Sequence, residues 1–264
     1  MQRRWEDSLF FALDSFKNRR IVVTGASSGI GQATAELLAS LGAQVCLISR
    51  RRDRLELVRT KLQNSSEHFV CEYDLTKTDG IVEVMKKISN EFGPISGMFH
   101  AAGTESIVPL KVMRDSHVIQ MLQGTAVASI MLVKGLTNVS VLDASQPCSI
   151  VLMSSVASQR GHQGLAAYSA AKSAVEGAAR SLAVELAPKS IRVNTISAGA
   201  VESPMHDRTV GSLDTNAVEI YRQRHPLGFG KPDDVANAAA FLLSPASRWI
   251  TGSTLSADGG YLCI

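Results

Sequence analysis

The sequence is poor in several things that would declare a class. Aromatic residues make up 5% of its 264 positions, and 27 Lys and Arg stand against 24 Asp and Glu, leaving a net charge of +3. The small basic excess is spread along the chain, without the basic, aromatic-interleaved surface that nucleic-acid binding requires, so no nucleic-acid partner is expected. There are four cysteines, Cys46, Cys71, Cys148 and Cys263, with no CxxC and no histidine at ligand spacing. That pattern fits reduced thiols and predicts neither disulfides nor a metal site. Arg3 and Arg4 open the chain, but Glu6, Asp7, Asp14 and Lys17 interrupt it before a signal-peptide core can form. Nor does an unbroken run approach the ~20 apolar residues of a membrane span. The expected location is the cytoplasm. What the chain does have is 45% hydrophobic and only 19% charged residues, enough to exclude disorder and to allow one large α/β domain or two small ones.

Order along the chain narrows that choice. After a polar N-terminal lead, Ile21, Val22 and Val23 form a β-branched run that enters Thr24-Gly25-Ala26-Ser27-Ser28-Gly29-Ile30-Gly31. Ala33, Ala35, Leu37, Leu38 and Leu41 then keep helical spacing until Gly42. Further strands are predicted at 45–48, 68–71, 98–101, 149–153, 192–196 and 254–257. Helices are predicted at about 79–92, 116–136, 167–186 and 232–243. Alternation of this kind implies a parallel sheet of about seven strands covered on both faces. The irregular interval 199–230, rich in Met, His, Arg and Gly, reads as a lid over a pocket.

Two constellations carry chemistry. Gly25, Gly29 and Gly31 stand between a first strand and a helix, where glycines admit a pyrophosphate and the helix N-terminus supplies N–H groups and partial positive charge. The second predicted strand ends in Ser49-Arg50-Arg51-Arg52, with serine where an acid would hold the 2′-hydroxyl of NAD. Arg50 offers a planar donor fork and Ser49 a hydroxyl to a 2′-phosphate, which favours NADPH over NADH. Downstream, Ser154 and Ser155 end a strand, and Tyr168 and Lys172 stand four apart on one helix face. A phenol of pKa ~10 beside an ammonium, with a serine hydroxyl to hold a carbonyl oxygen, has the parts for polarising a ketone while a nicotinamide delivers hydride. His162 and His206 have no second ligand at usable spacing, so no metal is expected.

With these motifs in place, the chain resembles the short-chain dehydrogenase/reductase family from about residue 17 to the C-terminus. Further matches are Asp74-Leu75, Ala101-Ala102-Gly103, Ile191-Arg192-Val193-Asn194 and Asp258-Gly259-Gly260. The stretches 230–236 and 249–252 resemble the branch that holds 3-oxoacyl carrier-protein reductases. The resemblance implies a single Rossmann-type, doubly wound domain over residues 19–264, preceded by a lead at 1–18. It implies catalysis by Ser155, Tyr168 as general acid and Lys172, which lowers the phenol pKa and binds the nicotinamide ribose. It places the cofactor at Gly25, Ser27, Ser28, Gly29, Ile30, Gly31, Ser49, Arg50, Asp74, Leu75, Ala101, Ala102, Gly103, Tyr168, Lys172, Val201 and Ser203. It also implies a homo-oligomer, a tetramer or dimer built through the long helices.

Three departures stand out. The family's Asn-Asn-Ala-Gly is His100-Ala101-Ala102-Gly103, its fourth catalytic residue, an Asn, aligns with Met121, and its Pro-Gly after the sixth strand is Ala198-Gly199. A thioether cannot order a water as an amide does, which leaves Gln120, Gln123 or a backbone carbonyl for that task. The expected activity is NADPH-dependent reduction of a ketone, in a 3-oxoacyl thioester or a similar small β-oxo compound. The alternatives are a sugar or polyol dehydrogenase, including one serving surface-polysaccharide assembly, and a nucleotide-binding regulatory protein. An acyl-carrier protein as partner needs a basic rim; Lys189 is suitably placed, but the loop 143–149 brings no cation.

Overall fold

The computed structural model describes residues 11–12, 14–211 and 215–264; most of the lead at 1–18 lies outside them. β1 (Arg20–Thr24) leads into α1 (Gly29–Ser40), followed by β2 (Gln44–Ser49), α2 (Arg52–Arg59), β3 (Phe69–Glu72), α3 (Ile81–Phe92) and β4 (Gly97–His100). The second half runs through α4 (Asp115–Leu122), a π-helical turn (Gln123–Val127), α5 (Ala128–Leu136), β5 (Cys148–Met153), α6 (Ala166–Leu186) and β6 (Ile191–Ala198). It closes with α7 (Pro204–Val210), α8 (Thr215–Gln223), α9 (Pro232–Leu243) and β7 (Thr254–Ala257).

The seven strands form one parallel sheet in the order β3-β2-β1-β4-β5-β6-β7. Strand order reverses between β1 and β4, so a crevice opens at their C-terminal ends, and the glycine turn leaves the sheet there. Continuous apolar runs are what a sheet buried on both faces requires, and β5 is buried at all six positions. One layer packs Ala35, Leu38, Ala239, Leu242 and Leu243 from α1 and α9 against Ile21, Val23 and Leu47. The other packs Met85, Leu132, Val133, Val175 and Ala179 against Val22, Met98 and Ile150. Each fully buried Leu, Ile or Met contributes about 1.5–3 kcal/mol by leaving water.

Four details differ from the sequence expectation or refine it. Phe16, inside the expected lead, is wholly buried in the first layer, and its backbone N–H donates to Leu41 O at 2.9 Å, so the packed chain starts before residue 19. A helix over Arg52–Arg59 follows β2 where none was assigned; of its three apolar residues, Leu55, Leu57 and Val58, only Leu55 and Val58 are buried. About half of the interval 199–230 is helical, with Ser203 capping α7 by accepting from the His206 N–H and Pro204 at its first turn. Finally, the helical stretch Asp115–Leu136 is, among the described residues, the one long and apolar enough to cross a bilayer (mean hydropathy 1.3). Its inner residues Leu132, Val133 and Leu136 pack in the core, while Ile119, Val127 and Ile130 are exposed.

Candidate active site

The C-terminal edge of the sheet holds a cleft of about 1000 Å³ that runs from Arg50 and Asp74 past the glycine turn to Met121. Gly25 has φ +67, and a Cβ there would meet Ala102 N at 2.8 Å. A Cβ on Gly31 would run into Gly25 O. The two glycines therefore bring the turn against the β4 loop and α1 against the turn. α1 has no side-chain cap at Ser28 and no acid in its first turn, so its N-terminal N–H groups face the cleft without an internal anion. An extended dinucleotide fits this cradle: an open helix N-terminus for pyrophosphate, and arginines at the adenosine end.

The expected cofactor residues fall into three groups. Gly25, Ser27, Ser28, Gly29, Ile30, Gly31, Arg50, Asp74, Leu75, Ala101, Ala102, Gly103 and Ser203 line this cleft, and Arg51, Tyr73, Thr76 and Arg208 join them. Val201 lines the adjoining catalytic cavity instead. Ser49 lies outside both linings, where its hydroxyl accepts from the Arg51 N–H at 3.3 Å and shapes the turn that carries the arginines. Burial works against ionisation of Asp74, but two bonds from Thr76, at 3.1 and 2.9 Å, and the nearby Arg50 hold its carboxyl below the usual range.

His100 explains how the loop survives without the family's asparagine. Its Nδ1 bonds the Thr24 hydroxyl at 2.7 Å, and Thr24 Oγ1 accepts from the Ala102 N–H at 3.1 Å. This relay ties the ends of β1 and β4 together beneath the cleft. Burial, with a smaller effect from Lys172, pushes the imidazole pKa down to about 3, so the ring is neutral at physiological pH.

Beyond Gly103 the cleft opens into a smaller cavity of about 150 Å³ lined by Ser155, Tyr168 and Lys172. The two serines divide their work. Ser154 donates to the Glu176 carboxylate at 2.6 Å, whereas Ser155 shares a hydrogen bond with the Tyr168 hydroxyl and accepts from the Ala157 N–H at 3.2 Å. α6 puts Tyr168, Ala171, Lys172 and Val175 on its buried face. The Lys172 ammonium donates to Met153 O at 2.8 Å and lies 5.7 Å from the centre of the Tyr168 ring.

The expected lowering of the phenol pKa by Lys172 does not appear in this arrangement. Burial pushes Tyr168 upward, Glu105 adds to the shift, the Ser155 hydrogen bond opposes it, and Tyr221 raises it further. Burial likewise pushes Lys172 down to about 8, partly offset by Glu105. At neutral pH both groups therefore hold their protons.

Met121 is buried beside Leu165, Ala167, Tyr168 and Ala171, with its sulfur 4.0 Å from the Thr125 hydroxyl. Gln123 donates to Thr76 O at 3.3 Å, and Gln120 lines the cleft. The π-turn begins at Gln123, one turn of backbone where the regular i→i−4 ladder is loosened.

The outer wall of the cavity comes from the expected lid and its neighbours: Met205, His206, Tyr221, and His162 from the loop before α6. His225 holds this wall to the sheet. Its Nδ1 donates to Tyr221 O at 3.0 Å, and its Nε2 accepts from the Ala200 N–H at 3.1 Å. Glu105 and Thr104 also line the cavity and were not anticipated. The available signal was their position just past the C-terminal end of a strand at the switch point, where ligands bind in such sheets.

Comparison with known proteins agrees with this geometry. A family model described as enoyl-(acyl carrier protein) reductase matches residues 25–262. A 3-oxoacyl-[acyl-carrier-protein] reductase from Thermotoga maritima is 34% identical over 250 residues, 90% of this chain and 96% of that protein. The chain belongs to the short-chain dehydrogenase/reductase family. A cis-4-hydroxycyclohexanecarboxylate dehydrogenase of Sinomonas cyclohexanicum is 32% identical, covering 95% of this chain and 99% of its own. A Beutenbergia cavernae structure, provisionally described as an NAD(P)-dependent gluconate 5-dehydrogenase with bound NADP at low occupancy, superposes with a TM-score of 0.87. That pair is 27% identical, covering 96% of this chain and 100% of that one. As a short-chain dehydrogenase/reductase, the protein is an NAD(P)-dependent oxidoreductase acting on CH–OH and keto groups.

Proposed function

We propose that the protein reduces a ketone to a secondary alcohol with NADPH, on a 3-oxoacyl thioester or a similar small β-oxo compound. The observation that carries this reading is the arrangement of Ser155, Tyr168 and Lys172 at one end of a cleft whose other end presents Arg50 and Arg51. When bound, a reduced nicotinamide supplies hydride to the carbonyl carbon. Ser155 and the Tyr168 hydroxyl hold the carbonyl oxygen, and Tyr168 gives it the proton as the alcohol forms. Lys172, held by Met153 O with its ammonium 5.7 Å from the centre of the Tyr168 ring, would bind the nicotinamide ribose, and Tyr168 recovers its proton from solvent. Arg50 and Arg51 favour the 2′-phosphate by charge-assisted hydrogen bonds.

A second reading, oxidation of a polyol or cyclic alcohol, draws support from the hydrogen-bonding wall of His162, His206, Tyr221 and Glu105 around the cavity. The protein is read as acting in the cytoplasm, as its four free thiols favour. It is also read as a homo-oligomer, supported by the apolar Ile119, Val127 and Ile130 exposed on one long helix and Val184 on another. An acyl-carrier protein is the weaker partner, a free small molecule the stronger.

Binding of NADPH and NADH to the purified protein, followed by turnover of acetoacetyl thioesters against a ketose panel with Tyr168→Phe as control, tests the reading. NADPH must bind the tighter, and a β-oxo compound must be reduced. Equal turnover by Tyr168→Phe sinks the catalytic assignment, and exclusive turnover of sugars or polyols selects the second reading.

A further inference from the structure

The reacting groups come from two segments. Ser155 follows β5, whereas Tyr168 and Lys172 sit on α6, so their geometry depends on how that loop is fastened to that helix. The fastening runs through Glu176, four residues beyond Lys172 and so one turn further along α6. Its Oε1 accepts from the Ser154 hydroxyl at 2.6 Å, and the Ser158 hydroxyl stands 2.6 Å from the same oxygen. That second hydroxyl is also 2.7 Å from Ser155 O, so its one proton is shared between the carboxylate and the backbone of Ser155.

Ser154 and Ser158 bracket Ser155 in the chain. The Ser154 N–H donates to Ile196 O at 2.7 Å, the Ser158 N–H to Ser155 O at 2.9 Å, and the Ser173 hydroxyl of α6 to Ser158 O at 3.0 Å. Inside the bracket the Ser155 hydroxyl oxygen accepts from the Ala157 N–H at 3.2 Å, which aims the side chain. Ser154 is 3% exposed and its other acceptor, Lys172 O, is 3.4 Å away, so without Glu176 its hydroxyl must turn and carry the strand end with it. Glu176 itself lines neither the catalytic cavity nor the dinucleotide cleft. Eight residues on from Tyr168, it stands about 12 Å further along the helix and does not touch a substrate.

We propose that Glu176 is a positioning residue: one carboxylate oxygen, gripping Ser154 and Ser158, holds the Ser155 hydroxyl within reach of Tyr168 and of the reacting carbonyl oxygen. This rests on the reading of Ser155 as a group that holds that oxygen. Both contacts go to Oε1, so the task needs an acceptor at a fixed reach and not a negative charge. An amide oxygen at the same reach performs it, and a carboxylate one carbon shorter does not.

The test measures kcat and NADPH affinity for Glu176→Gln, Glu176→Asp and Glu176→Ala on whichever ketone or alcohol the wild type turns over. Glu176→Ala is expected to lower kcat by about 10–100-fold, the cost of a small misplacement of a reacting group, with NADPH affinity unchanged within about threefold. Glu176→Gln is expected to keep kcat near wild type, and Glu176→Asp to fall below Glu176→Gln. In a Ser155→Ala background the Glu176→Ala change is expected to cost less than about twofold more, because the group it positions is already gone. A Glu176→Ala kcat within about twofold of wild type, or an equal loss from Glu176→Ala with and without the Ser155 hydroxyl, overturns the proposal. So does a Glu176→Asp enzyme faster than Glu176→Gln, and that order decides even if Glu176→Ala does not fold.

Failure of the parent reading looks different: Ser155→Ala then turns over as fast as wild type, and the role of Glu176 falls with it. If the wild type turns over nothing, crystal structures of Glu176→Gln and Glu176→Ala decide. A Ser155 Oγ displaced by about 1 Å or more in Glu176→Ala but not in Glu176→Gln supports the proposal, and a Ser155 unmoved in both overturns it.

Discussion

The two ends of the cleft are built in opposite ways. The pyrophosphate end is a single βα turn, with Gly25, Gly29 and Gly31 inside seven residues and their conformations fixed by contacts with Ala102 and Gly25 itself. The substrate end draws Glu105 from the β4 loop, Ser155 and His162 from beyond β5, Tyr168 from α6, and Met205 and Tyr221 from the segment after β6. A local backbone shape has one job and little room to vary. A cavity made by distant segments can change its wall without touching its floor; of the departures from the family pattern, Ala198-Gly199 lines this cavity, whereas Met121 lines the dinucleotide cleft and His100 lies beneath it.

If the comparison is right, the largest loss comes from the floor of the substrate end. Tyr168→Phe removes the proton donor and is expected to lower kcat by about 10²–10⁴-fold while NADPH still binds, as stopped-flow and fluorescence titration will show. A parallel loss of NADPH affinity would mean that the two ends are not separable.

The relay beneath both ends is next. The unfolded chain takes up a proton on His100 near pH 6.5, whereas the folded chain refuses it until about pH 3. Its folded pKa is depressed, so the folded state binds fewer protons and stability falls as pH drops through that window. The loss attributable to this residue is about 3 kcal/mol by about pH 4. His100→Asn is expected to flatten that share of the acid dependence in denaturant melts taken across the same pH range. An unchanged pH profile would remove His100 from the acid response.

The pyrophosphate end has no slack for a methyl group. Gly31→Ala is expected to cost about 1–3 kcal/mol of stability and to weaken both NADPH and NADH, since the backbone itself must shift. Arg50→Ala carries the smallest effect: about tenfold weaker NADPH with NADH unchanged, the value of one charge-assisted phosphate contact. Equal weakening of the two cofactors would assign Arg50 to the common part of the dinucleotide.

The same contrast decides what was legible beforehand. Strand runs such as 21–23 and 149–153 announced themselves because a sheet buried on both faces needs continuous apolar residues. The glycine turn was legible because its chemistry is backbone chemistry at fixed spacing. Arg52–Arg59 was missed since only two of its three apolar side chains, Leu55 and Val58, share the buried face, a faint helical stripe among charges. The interval holding the helices between residues 204 and 223 was read as irregular up to residue 217 because its apolar and aromatic residues face a cavity and one another instead of a continuous core. His206 and Phe229, 4.7 Å apart, and His225 and Tyr261, 4.6 Å apart, are pairs that no local periodicity connects.

By itself the sequence determined the alternation of strands and helices, the nucleotide turn, and the Tyr168–Lys172 pair four residues apart on one helix, because each depends on neighbours within a turn or two of chain. Only the tertiary structure decided that Ser154 turns to Glu176, that His100 bonds Thr24, that burial raises the phenol pKa, and that Glu105 reaches the reacting groups. Those depend on desolvation and on distances between segments far apart in the chain, and neither quantity is written in residue order.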